Sequence, residues 1–122
     1  MMAIKKIPDS ELDVMNVLWL QKEPIKTSEI LEKLDKSWTM STVQVLLTRL
    51  EERGYVGSKK EGRLKYYYSI LKEEEYKKLE TTWLYNKIHN GSLKSLILSL
   101  VETEELDDNE LNELESILSK MK

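Results

Sequence analysis

The amino-acid sequence predicts a mostly α-helical fold carrying one small β-hairpin, on three observations. Apolar residues recur at helical spacing over most of the chain, in segments such as DSELDVMNVLWL and TVQVLLTRL. Between Gly54 and Lys72 that period breaks, and YVGSKK and LKYYYSI flank the turn-like Glu61-Gly62-Arg63. The 122 residues are 40% hydrophobic and 34% charged, with no cysteine and no apolar run of bilayer length, which suits a small helical protein with a modest core.

Element by element, Asp9 or Ser10 offers an N-cap to a first helix, in which Leu12, Met15, Val17, Leu18 and Trp19 fall at contact spacing. Lys22, Glu23 and Pro24 break it. Thr27-Ser28-Glu29-Ile30 caps a short second helix with Ile30, Leu31 and Leu34 on its apolar face. After a turn at Asp35 to Thr39, a third helix runs from Ser41 to Arg53, with Val43, Leu46, Leu47 and Leu50 inward and Gly54 as its C-cap. In the hairpin, alternation puts Leu64, Tyr66 and Tyr68 on one side and Lys65 and Tyr67 on the other, an arrangement that sends two tyrosines to the core and leaves Tyr67 free. The helical pattern resumes from Lys72 to about Asn90, with Tyr76, Leu79, Trp83 and Ile88 inward and Gly91 ending it. Two further helices fit Ser92 to Val101 and Asp107 to Lys120, the second with Asp107 and Asp108 at its positive start. Three helices and then a hairpin is the order of a winged helix-turn-helix module, here residues 1–71, with the hairpin as the wing. Residues 72–122 form a C-terminal helical dimerisation region.

The net charge of −3 conceals a division along the chain. Residues 1–72 hold 13 Lys or Arg against 10 Asp or Glu, a net +3, whereas residues 73–122 hold 6 against 12, a net −6. The stretch from Arg49 to Lys72 alone carries +4, so a positive surface for nucleic acid is local. Without cysteine the chain cannot be a disulfide scaffold, a zinc-thiolate finger or a thiol enzyme. It has no phosphate-binding glycine loop, and His89, its only histidine, has no partner for general-base work or for a metal. The acidic runs at Glu73 to Glu75 and Glu102 to Asp108 lack calcium-loop spacing. Neither an enzyme nor a cofactor is expected. The opening MMAIKKIP reaches Pro8 without an apolar stretch of signal length, so the expected location is the cytoplasm.

With its apolar residues inward, the third helix turns Ser41, Thr42, Gln44, Val45, Thr48 and Arg49 outward. This face is short, polar and uncharged at its start, which suits base edges: glutamine pairs with adenine, and serine and threonine serve either partner. Lys59, Lys60, Arg63 and Lys65 surround the hairpin turn, where long cations reach phosphates, and Tyr67 is a candidate phosphate contact. Trp19, Trp38 and Trp83 read as packing residues. In the tail, Leu93, Leu96, Ile97, Leu100, Val101, Leu111, Leu114, Ile117 and Leu118 are too many for two short helices to bury against each other. Either the first module or a second copy of the chain must cover them; a dimer is the more economical answer, and a two-fold dimer reads the two halves of a palindromic operator in double-stranded DNA.

The blocks I7-P8-D9-S10-E11-L12-D13-V14-M15-N16-V17-L18-W19 and W38-T39-M40-S41-T42-V43-Q44-V45-L46-L47-T48-R49-L50-E51-E52-R53-G54-Y55-V56 resemble the penicillinase repressors and methicillin-resistance regulators of Gram-positive bacteria. The resemblance continues through K65-Y66-Y67-Y68 and S95-L96-I97-L98-S99-L100-V101-E102. It implies a homodimeric repressor of β-lactamase or related resistance genes, inactivated by cleavage when a membrane-bound sensor protease detects β-lactam. It also implies base contacts from Ser41, Thr42 and Gln44, beside which Thr48, Arg49, Lys65 and Tyr67 are the candidates for backbone contacts. Two positions often basic in that family are Ser41 and Gln44 here, a departure that bears on which operator is read. The family's cleavage point, an Asn-Phe bond, aligns with Ser99-Leu100, the same place with different chemistry. A metal-responsive branch that uses tail cysteines is not open to this chain. Two other readings stand beside this one: an interaction adaptor whose winged module no longer binds DNA, and a DNA-binding regulator that senses a small ligand.

Overall fold

The computed structural model describes residues 5–120; residues 1–4, at the head of the opening MMAIKKIP, and residues 121–122 lie outside the described residues. The order is α1 (Asp9–Trp19), β1 (Ile25–Lys26), α2 (Thr27–Lys33), α3 (Met40–Glu52), β2 (Val56–Glu61), β3 (Leu64–Ser69), α4 (Glu73–Trp83), a π-helical turn (Leu84–Ile88), α5 (Leu93–Glu102) and α6 (Asp108–Lys120). The fold is therefore mostly helical with a small antiparallel sheet, as the sequence predicts. No helix among the described residues is long and apolar enough to cross a membrane. The chain divides into a first compact unit ending at Lys78 and a second beginning at Leu79.

In the first unit, the apolar stripes of α1, α2 and α3 meet in one core. Val14, Met15, Ile30, Val43, Leu47 and Leu50 are completely buried in it, and the inward face of α3 is the one its spacing predicts. Two caps differ from expectation. Extended Pro8 occupies the N-cap position of α1, and Asp9 and Ser10 lie inside its first turn, where Asp9 meets the positive end of the helix dipole. Lys26 occupies that position in α2, so the Thr27 hydroxyl is free to bond elsewhere. Two tyrosines hold the N-terminal segment of the unit: the Tyr55 hydroxyl accepts from the Lys5 amide and the Tyr76 hydroxyl from the Ile7 amide, both at 2.8 Å.

The sheet has the order β1-β3-β2, with β3 central and antiparallel to both neighbours. The two residues of β1 give no periodic signal, and sequence patterning missed it. Gly62 opens the two-residue hairpin turn at φ 66°, the left-handed conformation that a first turn position of this kind requires and that only glycine adopts without strain. Period-two alternation holds in β3, but its faces are the reverse of the expected ones. Tyr67 is fully buried, whereas Tyr68 and Leu64 are exposed. Alternation fixes which residues share a face and not which face meets the helices; Tyr67, paired with Ile25 and Ser58, faces them.

The second unit contains the end of α4, the π-helical turn, α5 and α6. Side chains cap both helices: Ser92 Oγ accepts from the Ser95 amide at 3.1 Å, and Asp107 Oδ1 from the Glu110 amide at 2.8 Å. Of the inward residues expected on α4 and beyond, only Tyr76 is buried, and it belongs to the first unit. Leu79, Trp83 and Ile88 are exposed, with α4 ending at Trp83 and Ile88 lying in the π-helical turn. No described residue of the second unit is buried.

Candidate nucleic-acid interface

The interface is built on α3. Thr39 caps it, accepting from the Thr42 amide at 3.2 Å, and the two threonine hydroxyls are themselves 3.2 Å apart. Ser41, Thr42, Gln44, Val45, Thr48 and Arg49 are all exposed along its outer face, because their neighbours Val43, Leu46, Leu47 and Leu50 are held inward. Among the described residues, the Ser41 and Arg49 side chains make no hydrogen bond or ion pair. Thr48 donates to its own helix at the Gln44 carbonyl, 2.9 Å away, which leaves its oxygen as an acceptor.

Gln44 is engaged at both ends of its amide. Oε1 accepts from the Thr27 hydroxyl at 3.2 Å, and Nε2 donates to the Tyr67 hydroxyl at 2.8 Å. Tyr67 is therefore not a free edge group, and its assignment as a phosphate contact is corrected. Its ring is buried between the sheet and the helices, and its hydroxyl serves Gln44.

The wing cations divide by register. Lys60 and Lys65 sit directly opposite each other on the face that Tyr67 occupies, while Lys59, paired with Tyr66, is on the other face. Arg63 is exposed in the turn. Like charges opposite each other repel, and Glu51 of α3 offsets this: its Oε1 lies 3.3 Å from Lys65 Nζ, and its Oε2 accepts from Ser58 Oγ at 2.6 Å. Burial pulls the Lys65 pKa down, but the hydrogen bond and charge of Glu51 together with Tyr67 outweigh it, and the net direction is upward. Lys65 Nζ also stands 5.5 Å from the Tyr67 ring centroid. Sequence reading gave Thr27 only a capping role and did not single out Glu51 or Ser58. Their roles depend on contacts across elements, and no local spacing announces them.

Six of the nine tail candidates, Leu93, Leu96, Ile97, Leu100, Leu114 and Ile117, line one apolar groove of about 370 Å³ along α5 and α6. Val101, Leu111 and Leu118 lie outside its lining. Ser99 and Leu100 are both exposed on α5. No cluster of potential metal ligands occurs among the described residues.

Comparison with known proteins adds names to this geometry. The sequence model of the family described as "Penicillinase repressor" matches residues 7–120. The methicillin resistance regulatory protein MecI of Staphylococcus aureus (strain N315) is 34% identical over 116 residues, 94% of each chain. The penicillinase repressor of Bacillus licheniformis is 36% identical over 124 residues, covering all of this chain and 96% of that one. Two solution structures, of the DNA-binding domain of the repressor BlaI and of monomeric Bacillus licheniformis BlaI in complex with the blaP half-operator, superpose with TM-scores of 0.54 and 0.51. Each is 36% identical and covers 62% of this chain and 94% of its own.

Proposed function

The chain belongs to the penicillinase repressor family, and from that premise we propose that it is a DNA-binding transcriptional repressor that reads its operator through α3 and the hairpin wing. The observation that carries this reading is the outer face of α3. Six exposed residues, only one of them charged, stand beside a hairpin bearing Lys59, Lys60, Arg63 and Lys65. Ser41, Thr42 and Gln44 read base edges, while Thr48, Arg49 and the wing cations meet the phosphate backbone. The family and its relatives are repressors rather than enzymes, and a structure of a relative holds a half-operator.

The finer parts of the proposal concern the tail. Residues 72–122 join two copies, and the apolar groove along α5 and α6 is where the copies meet. That assembly presents two α3 helices to a palindrome whose half-sites lie about one helical turn, ~10 base pairs, or a multiple of it apart. The regulated genes are β-lactam resistance genes, the protein works in the cytoplasm, and a membrane sensor protease inactivates it by cutting at Ser99-Leu100.

The test is fluorescence anisotropy of the purified protein with duplex tiles of its own upstream region and a scrambled duplex, each at two salt concentrations. The reading expects tight, salt-sensitive binding to one palindromic tile with two chains per duplex. Weak binding that is equal on every tile would overturn it in favour of an interaction adaptor.

A further inference from the structure

A carboxamide has four bonding sites, two lone pairs on oxygen and two hydrogens on nitrogen. In Gln44 one site at each end is already taken, by Thr27 at 3.2 Å and by Tyr67 at 2.8 Å. The three residues come from α2, α3 and β3, so the amide is held by elements that the core fixes relative to one another. One acceptor site and one donor site remain, and Gln44 stands on the exposed face of α3. Adenine presents the complement in the major groove, a donor at N6 beside an acceptor at N7.

The arrangement does not depend on which end of the amide faces which hydroxyl. Both hydroxyls donate or accept, and in either sense one donor site and one acceptor site remain. A glutamine in solvent must be ordered when it meets a base, at a cost in side-chain entropy. Here Thr27 and the buried Tyr67 hold it before DNA arrives. We propose that Tyr67 and Thr27 are positioning residues for Gln44, so that a buried wing tyrosine sets the preference for adenine without touching DNA. This rests on the DNA-reading role proposed above and deepens it.

The experiment selects duplexes from a random-sequence pool with the full-length wild type, Tyr67→Phe, Thr27→Val and Gln44→Ala, and sequences the enriched pools. Thermal melts run beside it. The wild type should enrich a palindrome with adenine at one position of each half-site, and Gln44→Ala should lose that preference. Tyr67→Phe and Thr27→Val should each weaken it about tenfold. Affinity for a scrambled duplex and the preferences at other positions should change less than about twofold. A purely structural role would instead weaken all sequences alike. Should Tyr67→Phe fail to fold, the partly exposed Thr27→Val decides alone. The positioning role is overturned if both variants keep the wild-type preference at that position, or if Gln44→Ala does. A wild type that enriches no sequence overturns base reading itself, and this inference with it.

Discussion

The Nζ of Lys65, on the second strand of the hairpin, lies 3.3 Å from Oε1 of Glu51 near the end of α3. The other oxygen of the same carboxylate receives the Ser58 hydroxyl from the first strand, so one side chain of α3 grips both strands of the hairpin. Lys65 is 40% exposed and Glu51 33%, and a pair this wet is worth under about 1 kcal/mol of stability. Its consequence is geometric and electrostatic: it links the wing to α3 and neutralises one of the hairpin's cations.

Glu51→Gln keeps an acceptor for Ser58 and removes the competing charge. Affinity for a scrambled duplex should rise a few-fold at low salt, and the slope of log affinity against log salt should steepen by about one. Anisotropy titrations across a salt series read both quantities. An unchanged slope would mean that Lys65 gains no phosphate contact when released.

The same pair fixes a pH dependence. Burial depresses the Lys65 pKa, but Glu51 and Tyr67 outweigh it, and the folded value lies above the unfolded one. A raised lysine contributes stability that is fully present below the unfolded value, about 10.4, and is lost as pH rises through the folded value. Titration of the lysine side chains by NMR should place Lys65 above the unfolded value, and Glu51→Gln should bring it down.

How much of this was legible in the sequence depended on whether a signal was local. Val43, Leu46, Leu47 and Leu50 announced the buried face of α3, and hence its exposed face, because a helix carries its neighbours at fixed rotation. The hairpin was equally readable, from its composition and from Gly62. The choice of face for Tyr67 was not: alternation has two solutions, and the deciding contact with Gln44 spans 23 residues. Leu79 and Trp83 carried the helical period of α4, but period alone does not say how far a stripe is buried, and it did not announce the π-helical turn that holds Ile88.

Glu11 is the one charged residue buried among the described residues, and Arg53 Nη1 reaches its Oε1 at 2.5 Å, joining the start of α1 to the end of α3. Removing the cation alone strands a carboxylate. Arg53→Met should therefore destabilise by about 2 kcal/mol, below the ~3–5 of a fully buried pair because the arginine side chain is 40% exposed. Glu11→Gln, which keeps an acceptor, should cost less than about 1.5 kcal/mol. Urea denaturation of both variants and of the double variant gives the coupling, and a larger loss for Glu11→Gln would contradict this account.

Gly57 pairs with Tyr68 across the hairpin, and a Cβ at position 57 would sit 2.5 Å from the tyrosine Cζ. The far end of the ring is what it meets, and Tyr68 is 40% exposed, so the ring can swing outward. Gly57→Ala should cost about 1 kcal/mol, the low end for overpacking. In a Tyr68→Ala background the same change should cost nothing measurable, a coupling of similar size. Equal losses in the two backgrounds would assign the effect to the backbone instead.

The tail gives the widest prediction, because the groove residues lie on both sides of one bond. Leu93, Leu96 and Ile97 precede Ser99-Leu100, while Leu100, Leu114 and Ile117 come at or after Leu100. A charge in the groove and a cut through α5 should therefore have the same effect. Ile117→Asp should shift sedimentation from two chains to one at micromolar concentration while the melting of the first unit is unchanged. Joining two half-site readers raises apparent affinity by about 10²–10⁴ without any new contact, so affinity for a full palindrome should fall by about that factor toward the half-site value. A chain engineered for cleavage between Ser99 and Leu100 should match it after cutting. If Ile117→Asp leaves the mass at two chains, the groove is not the seam between copies, and α3 spacing on the operator must be set elsewhere.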